Sequence, residues 1–154
     1  MSEIVGKSVP EFKAACTGAP FVLSALRGKA VVLYFYPKDD TPGCTSEGAD
    51  FRDQYAQFQS ANTEIFGISR DGLKSHQKFK DKMAFPFQLI ADEDESVCQL
   101  FNVIKMKNMY GKQVRGIERS TFVIDAQGVL KREWRGVKVP GHVAEVLEFV
   151  RSIT

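Results

Sequence analysis

Residues 30–36 read AVVLYFY, the most apolar run in the chain, β-branched and aromatic throughout with no polar alternation. A run of that length and composition predicts a strand buried on both faces, so the fold must supply a layer on each side of its sheet. The next nine residues, Pro37-Lys38-Asp39-Asp40-Thr41-Pro42-Gly43-Cys44-Thr45, end the strand with two prolines and a glycine. Phe51, Tyr55 and Phe58 then recur at spacings of four and three, which predicts an amphipathic helix starting near Cys44. Thr41 and Pro42 read as its N-cap and first helical residue. One cysteine is thereby placed at a helix N-terminus.

The remaining pattern surrounds that unit. Residues 12–16 and 21–23 predict a short N-terminal β-hairpin turning through Thr17-Gly18-Ala19-Pro20. TEIFGIS at 63–69 is a second buried strand. A helix follows, capped by Asp71 or Ser75 and running to about Met83. Residues 87–91 form a third strand, and Asp92 to Glu95 open a helix carrying Val97, Leu100 and Phe101. Residues 103–116 lack a clear period and read as a loop or extended excursion. Residues 120–124 and 129–135 form strands joined by a hairpin turn at Asp125-Ala126-Gln127-Gly128, and Val143, Val146, Leu147 and Val150 mark a closing helix. The order predicts an α/β, thioredoxin-like fold: a mixed central sheet flanked by helices on both faces, with an N-terminal β-hairpin.

At 154 residues, without repeat or linker, the chain is expected to be a single domain over 1–154. Twenty-one lysines and arginines stand against 19 acids, interspersed, for a net charge of +2. That balance excludes a dedicated nucleic-acid surface. No run approaches the roughly 20 apolar residues of a membrane span. A cytoplasmic location is expected.

The three cysteines, Cys16, Cys44 and Cys98, are few, odd in number and widely spaced, as suits a reducing compartment. No CxxC pair occurs, which disfavours a zinc knuckle or a dithiol disulfide reductase. Thiol chemistry must therefore start from one sulfur. A free thiol is only about 3% thiolate at neutral pH, and the thiolate is the nucleophile. A helix dipole supplies roughly 0.3–1 kcal/mol toward the anion, whereas a cation at about 4 Å supplies on the order of 4 kcal/mol before desolvation opposes it. A cation must do most of the work, and Arg119, at the start of a strand directly after the irregular segment, is the candidate. Outside such a site Cys16 and Cys98 read as core filling, Asp92 to Glu95 as the ordinary acidic complement of a helix start, and His76 and His142 as isolated residues offering no ligand cluster.

Pro37-x-x-x-Thr41-x-x-Cys44, with Pro42-Gly43 inside and Thr45 and Glu47 after it, resembles the peroxidatic motif of peroxiredoxins. YFYPKDDTPGCT and NMYGKQVRGIERSTF are similar to the bacterioferritin comigratory protein, or peroxiredoxin Q, group, and the resemblance covers nearly the whole chain. It implies a thiol-dependent peroxidase that reduces hydrogen peroxide and small organic hydroperoxides in antioxidant defence. Cys44 would attack the O–O bond and become a sulfenic acid. Thr41 would position the peroxide, Arg119 would favour the thiolate and stabilise the transition state, and Pro37 would shape the pocket. The N–H groups of Gly43 and Cys44 would receive the oxygens, and Glu47 would orient the arginine.

In one respect the chain departs from that pattern. Many members of the group carry a second cysteine five residues after the first, where this chain has Ala49, and others carry one on the following helix, where Phe79-Lys80-Asp81 has none. Cys98 is the better candidate for resolving Cys44, ahead of Cys16, with one-cysteine turnover by an external thiol as the equal alternative. No metal, haem or flavin is implied. Thioredoxin, or glutaredoxin or glutathione, is the implied reductant, and a monomer is expected with a dimer as the alternative. The competing non-enzymatic reading is a redox-sensing or chaperone-like module that uses Cys44 as a switch.

Overall fold

The structure, a computed structural model, describes residues 4–154. Its centre is the predicted apolar run: β3 (Ala30–Phe35) is buried at all six positions. Tyr36 lies just past the strand, though its N–H still donates to Ile68 O at 3.0 Å. β3 pairs in parallel with β4 (Thr63–Ser69) and antiparallel with β8 (Ser120–Ile124). Adding β1 (Lys13–Cys16), β2 (Phe21–Val22), β5 (Gln88–Ala91) and β9 (Leu130–Arg135) gives a seven-stranded mixed sheet of order β2-β1-β5-β4-β3-β8-β9. The N-terminal hairpin is not a separate flap, because β1 also pairs with β5 and extends the sheet.

Alternation along β3 divides the core in two. Val32, Tyr34 and Tyr36 join a cluster with Phe51 and Phe58 of α1 (Pro42–Ser60), Phe79 of α2 (Leu73–Met83) and Val143, Val146 and Val150 of α4 (His142–Ile153). Val31, Leu33 and Phe35 face the opposite cluster, with Phe21, Leu23 and Val97, Cys98 and Phe101 in and beside α3 (Ser96–Leu100). Helices do cover both faces. The three long ones share one face, and the other is closed by the five-residue α3 and the 3-10 turn Leu23–Leu26.

Three local expectations are sharpened or corrected. Of the two readings for residues 103–116, the extended excursion holds and the loop does not: β6 (Ile104–Met109) and β7 (Lys112–Ile117) form a two-stranded antiparallel hairpin of their own, with Tyr110 and Gly111 both at positive φ in a two-residue turn. The hairpin exposes much of both faces, so burial never imposed the alternation that would reveal a strand. Asp92 to Glu95 precede α3 rather than lie in it, and Asp92 caps it, accepting from Val97 N at 3.0 Å and Cys98 N at 2.7 Å. Neither Asp71 nor Ser75 caps α2. Its N-cap is Gly72, and the two side chains turn toward the loop after β3.

Candidate active site

α1 starts at the carboxyl end of β3, where an α/β sheet offers a crevice. Pro42 stands in the first turn, and Thr45 N makes an early intrahelical bond, to Thr41 O at 2.8 Å. The N–H groups of Gly43 and Cys44 precede it, so they point out of the helix end as donors for an anion. Thr41 occupies the N-cap in extended conformation, but its hydroxyl does not cap the helix. It donates to Lys38 O at 2.8 Å, which leaves its oxygen as an acceptor for an incoming O–H.

The antiparallel register sets Ser120 of β8 opposite Phe35 of β3, so Arg119, one residue earlier, lies beside the start of α1. Its Nη2 is 3.5 Å from Cys44 Sγ, and its Nη1 donates to Glu47 Oε1 at 2.7 Å. Glu47 is one turn beyond Cys44 on the same helix face, so a single guanidinium spans both side chains. Gly43 leaves room for it: a Cβ there would stand 3.0 Å from Arg119 Nη2. Cys44 is 2% exposed, and Pro37, just after β3, is half-buried. The structure thus brings Gly43, Cys44, Glu47 and Arg119 together, with Thr41 at the N-cap of the same helix and Pro37 in the turn that leads to it.

Burial pushes the Glu47 carboxyl up to about 7, against the pull of Arg119. Burial also opposes the charge on Arg119, but Glu47 and Cys44 outweigh it and hold the guanidinium above its usual range. The other oxygen of Glu47 and the hydroxyl of Tyr34 are buried without a partner among the described residues. Burial, then the charges of Glu47, Cys44 and Asp39, raise the Tyr34 hydroxyl well above the ordinary phenol range. Lys107 of β6, within the segment read from sequence as a loop or extended excursion, is half-buried and donates to Ile117 O. Burial and then Arg119 lower its ammonium, while Glu118 and Cys44 oppose the shift.

Cys98 does not join this group. It is fully buried in the cluster on the opposite face of the sheet from Cys44, and Cys16 lies on that opposite face too. Burial pushes both thiols up, Cys16 to about 11 and Cys98 further, Asp92 adding to the shift at Cys98.

His76 is not isolated, as its sequence context suggested. Its Nδ1 is 2.7 Å from Asp39 Oδ2, and with Asp71 the three residues bring ligand atoms within 4.8 Å of one another. Tyr36 and Ser75 donate to the two oxygens of Asp39, and Ser69 and the Asp39 N–H donate to Asp71 Oδ2, so these ligand atoms are already engaged in protein hydrogen bonds. Asp39 and His76 are 37 residues apart, a separation at which no sequence period could have joined them.

A lone thiol at a helix start, with an arginine against it on a mixed α/β sheet, defines a thiol-based redox site on a thioredoxin-like fold. Residues 5–133 match the AhpC/TSA family, and the chain belongs to that family, whose peroxiredoxin members are thiol-dependent peroxidases. It is 49% identical over 148 residues to the putative peroxiredoxin bcp of Coxiella burnetii, covering 96% of this chain and 98% of that one. Peroxiredoxin Bcp of Bacillus subtilis is 44% identical over 151 residues, 97% of this chain and 96% of the relative. Among solved structures, a Xanthomonas campestris peroxiredoxin Q superposes with a TM-score of 0.87 at 48% identity, covering 92% of this chain and 90% of that one. A Xylella fastidiosa PrxQ mutant superposes at 0.91 with 41% identity, over 96% and 95% of the two chains.

Proposed function

We propose that the Cys44 thiolate attacks the terminal oxygen of hydrogen peroxide or a small alkyl hydroperoxide. An S–O bond forms as the O–O bond breaks, the sulfur is oxidised to sulfenic acid, and hydroxide or alkoxide leaves to be protonated to water or alcohol. The observation that carries this reading is the 3.5 Å approach of Arg119 Nη2 to Cys44 Sγ, with the guanidinium held from behind by Glu47. In that position the cation favours the thiolate and meets the charge that spreads over the two oxygens. Thr41 Oγ1 accepts from the peroxide O–H, and the N–H groups of Gly43 and Cys44 receive the oxygens. Pro37 keeps water from the sulfur. A Xanthomonas campestris bacterioferritin comigratory protein has been studied for alkyl peroxide reduction activity, which supports the organic substrate class.

The separation of Cys44 from Cys98 supports one-cysteine turnover. An external thiol condenses with the sulfenic acid, releasing water, and a second thiol frees Cys44 from the mixed disulfide. Thioredoxin is the proposed reductant, with glutaredoxin or glutathione in the same role. The site is complete within one chain, which supports a monomeric enzyme, and both hydrophobic clusters share one sheet, which supports a single domain over 1–154. The three unpaired cysteines suit the cytoplasm. No helix among the described residues is long and apolar enough to cross a membrane.

Peroxide consumption with added dithiol tests the reading. Wild type should turn over catalytically and Cys44→Ser should be inactive. One stoichiometric oxidation of Cys44 without turnover would overturn the enzyme reading in favour of a redox switch.

A further inference from the structure

The turn between β3 and α1 is tied to the body of the protein through Asp39. Its N–H donates to Asp71 Oδ2 at 2.9 Å, its Oδ1 accepts from Tyr36 Oη at 2.6 Å, and its Oδ2 accepts from Ser75 Oγ at 2.8 Å. The same Oδ2 faces His76 Nδ1 at 2.7 Å, and His76 Nε2 is 2.8 Å from Ile90 O. A carbonyl can only accept, so Nε2 carries hydrogen, and a proton also lies between Nδ1 and the carboxylate. The fully buried imidazole is therefore a strut between the backbone of β5 and the turn. A second tie, Lys82 Nζ to Asp40 Oδ1 at 2.8 Å, has both side chains more than half exposed and holds little by comparison.

Within the turn, Thr41 Oγ1 closes back on Lys38 O, so the segment from Lys38 to Thr41 moves as a unit. Displacing Asp39 displaces Thr41 and the first turn of α1, while Arg119, held just before β8, stays. We propose that His76 is a positioning residue for the peroxide reaction: acting through Asp39, it fixes Thr41 and the Cys44 end of α1 against Arg119. This rests on the assignment of Cys44 as nucleophile.

Two substitutions separate the strut's ends. The amide nitrogen of asparagine takes the place of Nδ1, and that of glutamine the place of Nε2. His76→Asn keeps the donor to Asp39 and loses the bond to Ile90 O, and His76→Gln does the reverse. Each loses one buried hydrogen bond, so their melting temperatures should fall by similar amounts. The single-turnover rate of Cys44 oxidation by hydrogen peroxide should fall about tenfold or more in His76→Gln and stay near wild type in His76→Asn, since misplacement by about 1 Å is costly to rate. Equal rates in the two variants, or a fall in both that follows stability, would overturn the proposal. Ser75→Ala, at an exposed position, takes a donor from the same oxygen without opening the core. It should slow oxidation about threefold at unchanged melting temperature, and an unchanged rate counts against the proposal even where the His76 variants do not fold. A wild-type protein that fails to oxidise at Cys44 would instead remove the assignment beneath it.

Discussion

Cys44 and Cys98 pack against opposite faces of the same seven-stranded sheet. A disulfide needs the two Cα atoms within roughly 7 Å, which the intervening backbone layer denies them. After one equivalent of peroxide, non-reducing peptide maps should contain no Cys44–Cys98 linkage, and a sulfenic-acid probe should label Cys44. Cys98→Ala should lose about 1 kcal/mol of stability from its buried site and keep its turnover with thiol. A Cys44–Cys98 peptide in high yield would overturn this.

Arg119→Ala removes the cation beside the sulfur and leaves Glu47 buried without its partner. The expected loss is about 100-fold or more in the rate of Cys44 oxidation, the scale seen when one stabiliser of developing charge is deleted. Stopped-flow oxidation by hydrogen peroxide measures it. Arg119→Lys keeps the charge but cannot reach Glu47 and Cys44 with a planar fork, so it should recover part of the rate only.

Gly43 and Gly48 give opposite readouts on one helix. A Cβ at Gly43 would stand 3.0 Å from Arg119 Nη2, at an exposed position. Gly43→Ala should therefore slow oxidation about tenfold by moving the guanidinium, with stability preserved by better helix propensity. At Gly48 a Cβ would run into the ring of Phe85, inside the core. Gly48→Ala should cost about 1–3 kcal/mol in chemical denaturation.

The pH dependence of stability is a contest between Glu47 and His142. Burial raises Glu47 from 4.5 to about 7, so the folded state binds the extra proton and stability falls as pH rises across that window. Burial lowers His142 from 6.5 to about 4, so the unfolded state binds the extra proton and stability falls as pH drops from 6.5 toward 4. Each effect is on the order of 2 kcal/mol after allowance for solvent screening, and over pH 4.5–6.5 they cancel. Wild type should be nearly flat there in urea melts. Glu47→Gln should become acid-sensitive, and His142→Gln should weaken as pH rises.

What could be read in the sequence was whatever burial had written into it. The run at 30–36 names β3 because both of its faces are covered, and the spacing of Phe51 and Phe58 names α1 because one face is. The hairpin of β6 and β7 faces water too widely to show a period. Cys44 and Thr41 were legible as a helix start next to a strand end. The value of Arg119 depends on the pairing of Phe35 with Ser120, a register that motif resemblance could suggest and periodicity could not. Asp39 and His76 were invisible for the same reason, since their meeting depends on how the turn after β3 folds over α2.

Cys44 is 2% exposed, and this sets different demands on the two halves of the cycle. On the reaction proposed above, a peroxide is small enough to reach the sulfur with the helix intact. The sulfur of another protein must approach along the S–O axis with its own backbone behind it, and the formed first turn of α1 stands in the way. Reductive recycling by a protein thiol is therefore expected to wait for that turn to unwind, with opening rather than encounter as the bottleneck. Turnover should then saturate with rising concentration of any protein reductant, at one ceiling that belongs to this chain and not to its donor.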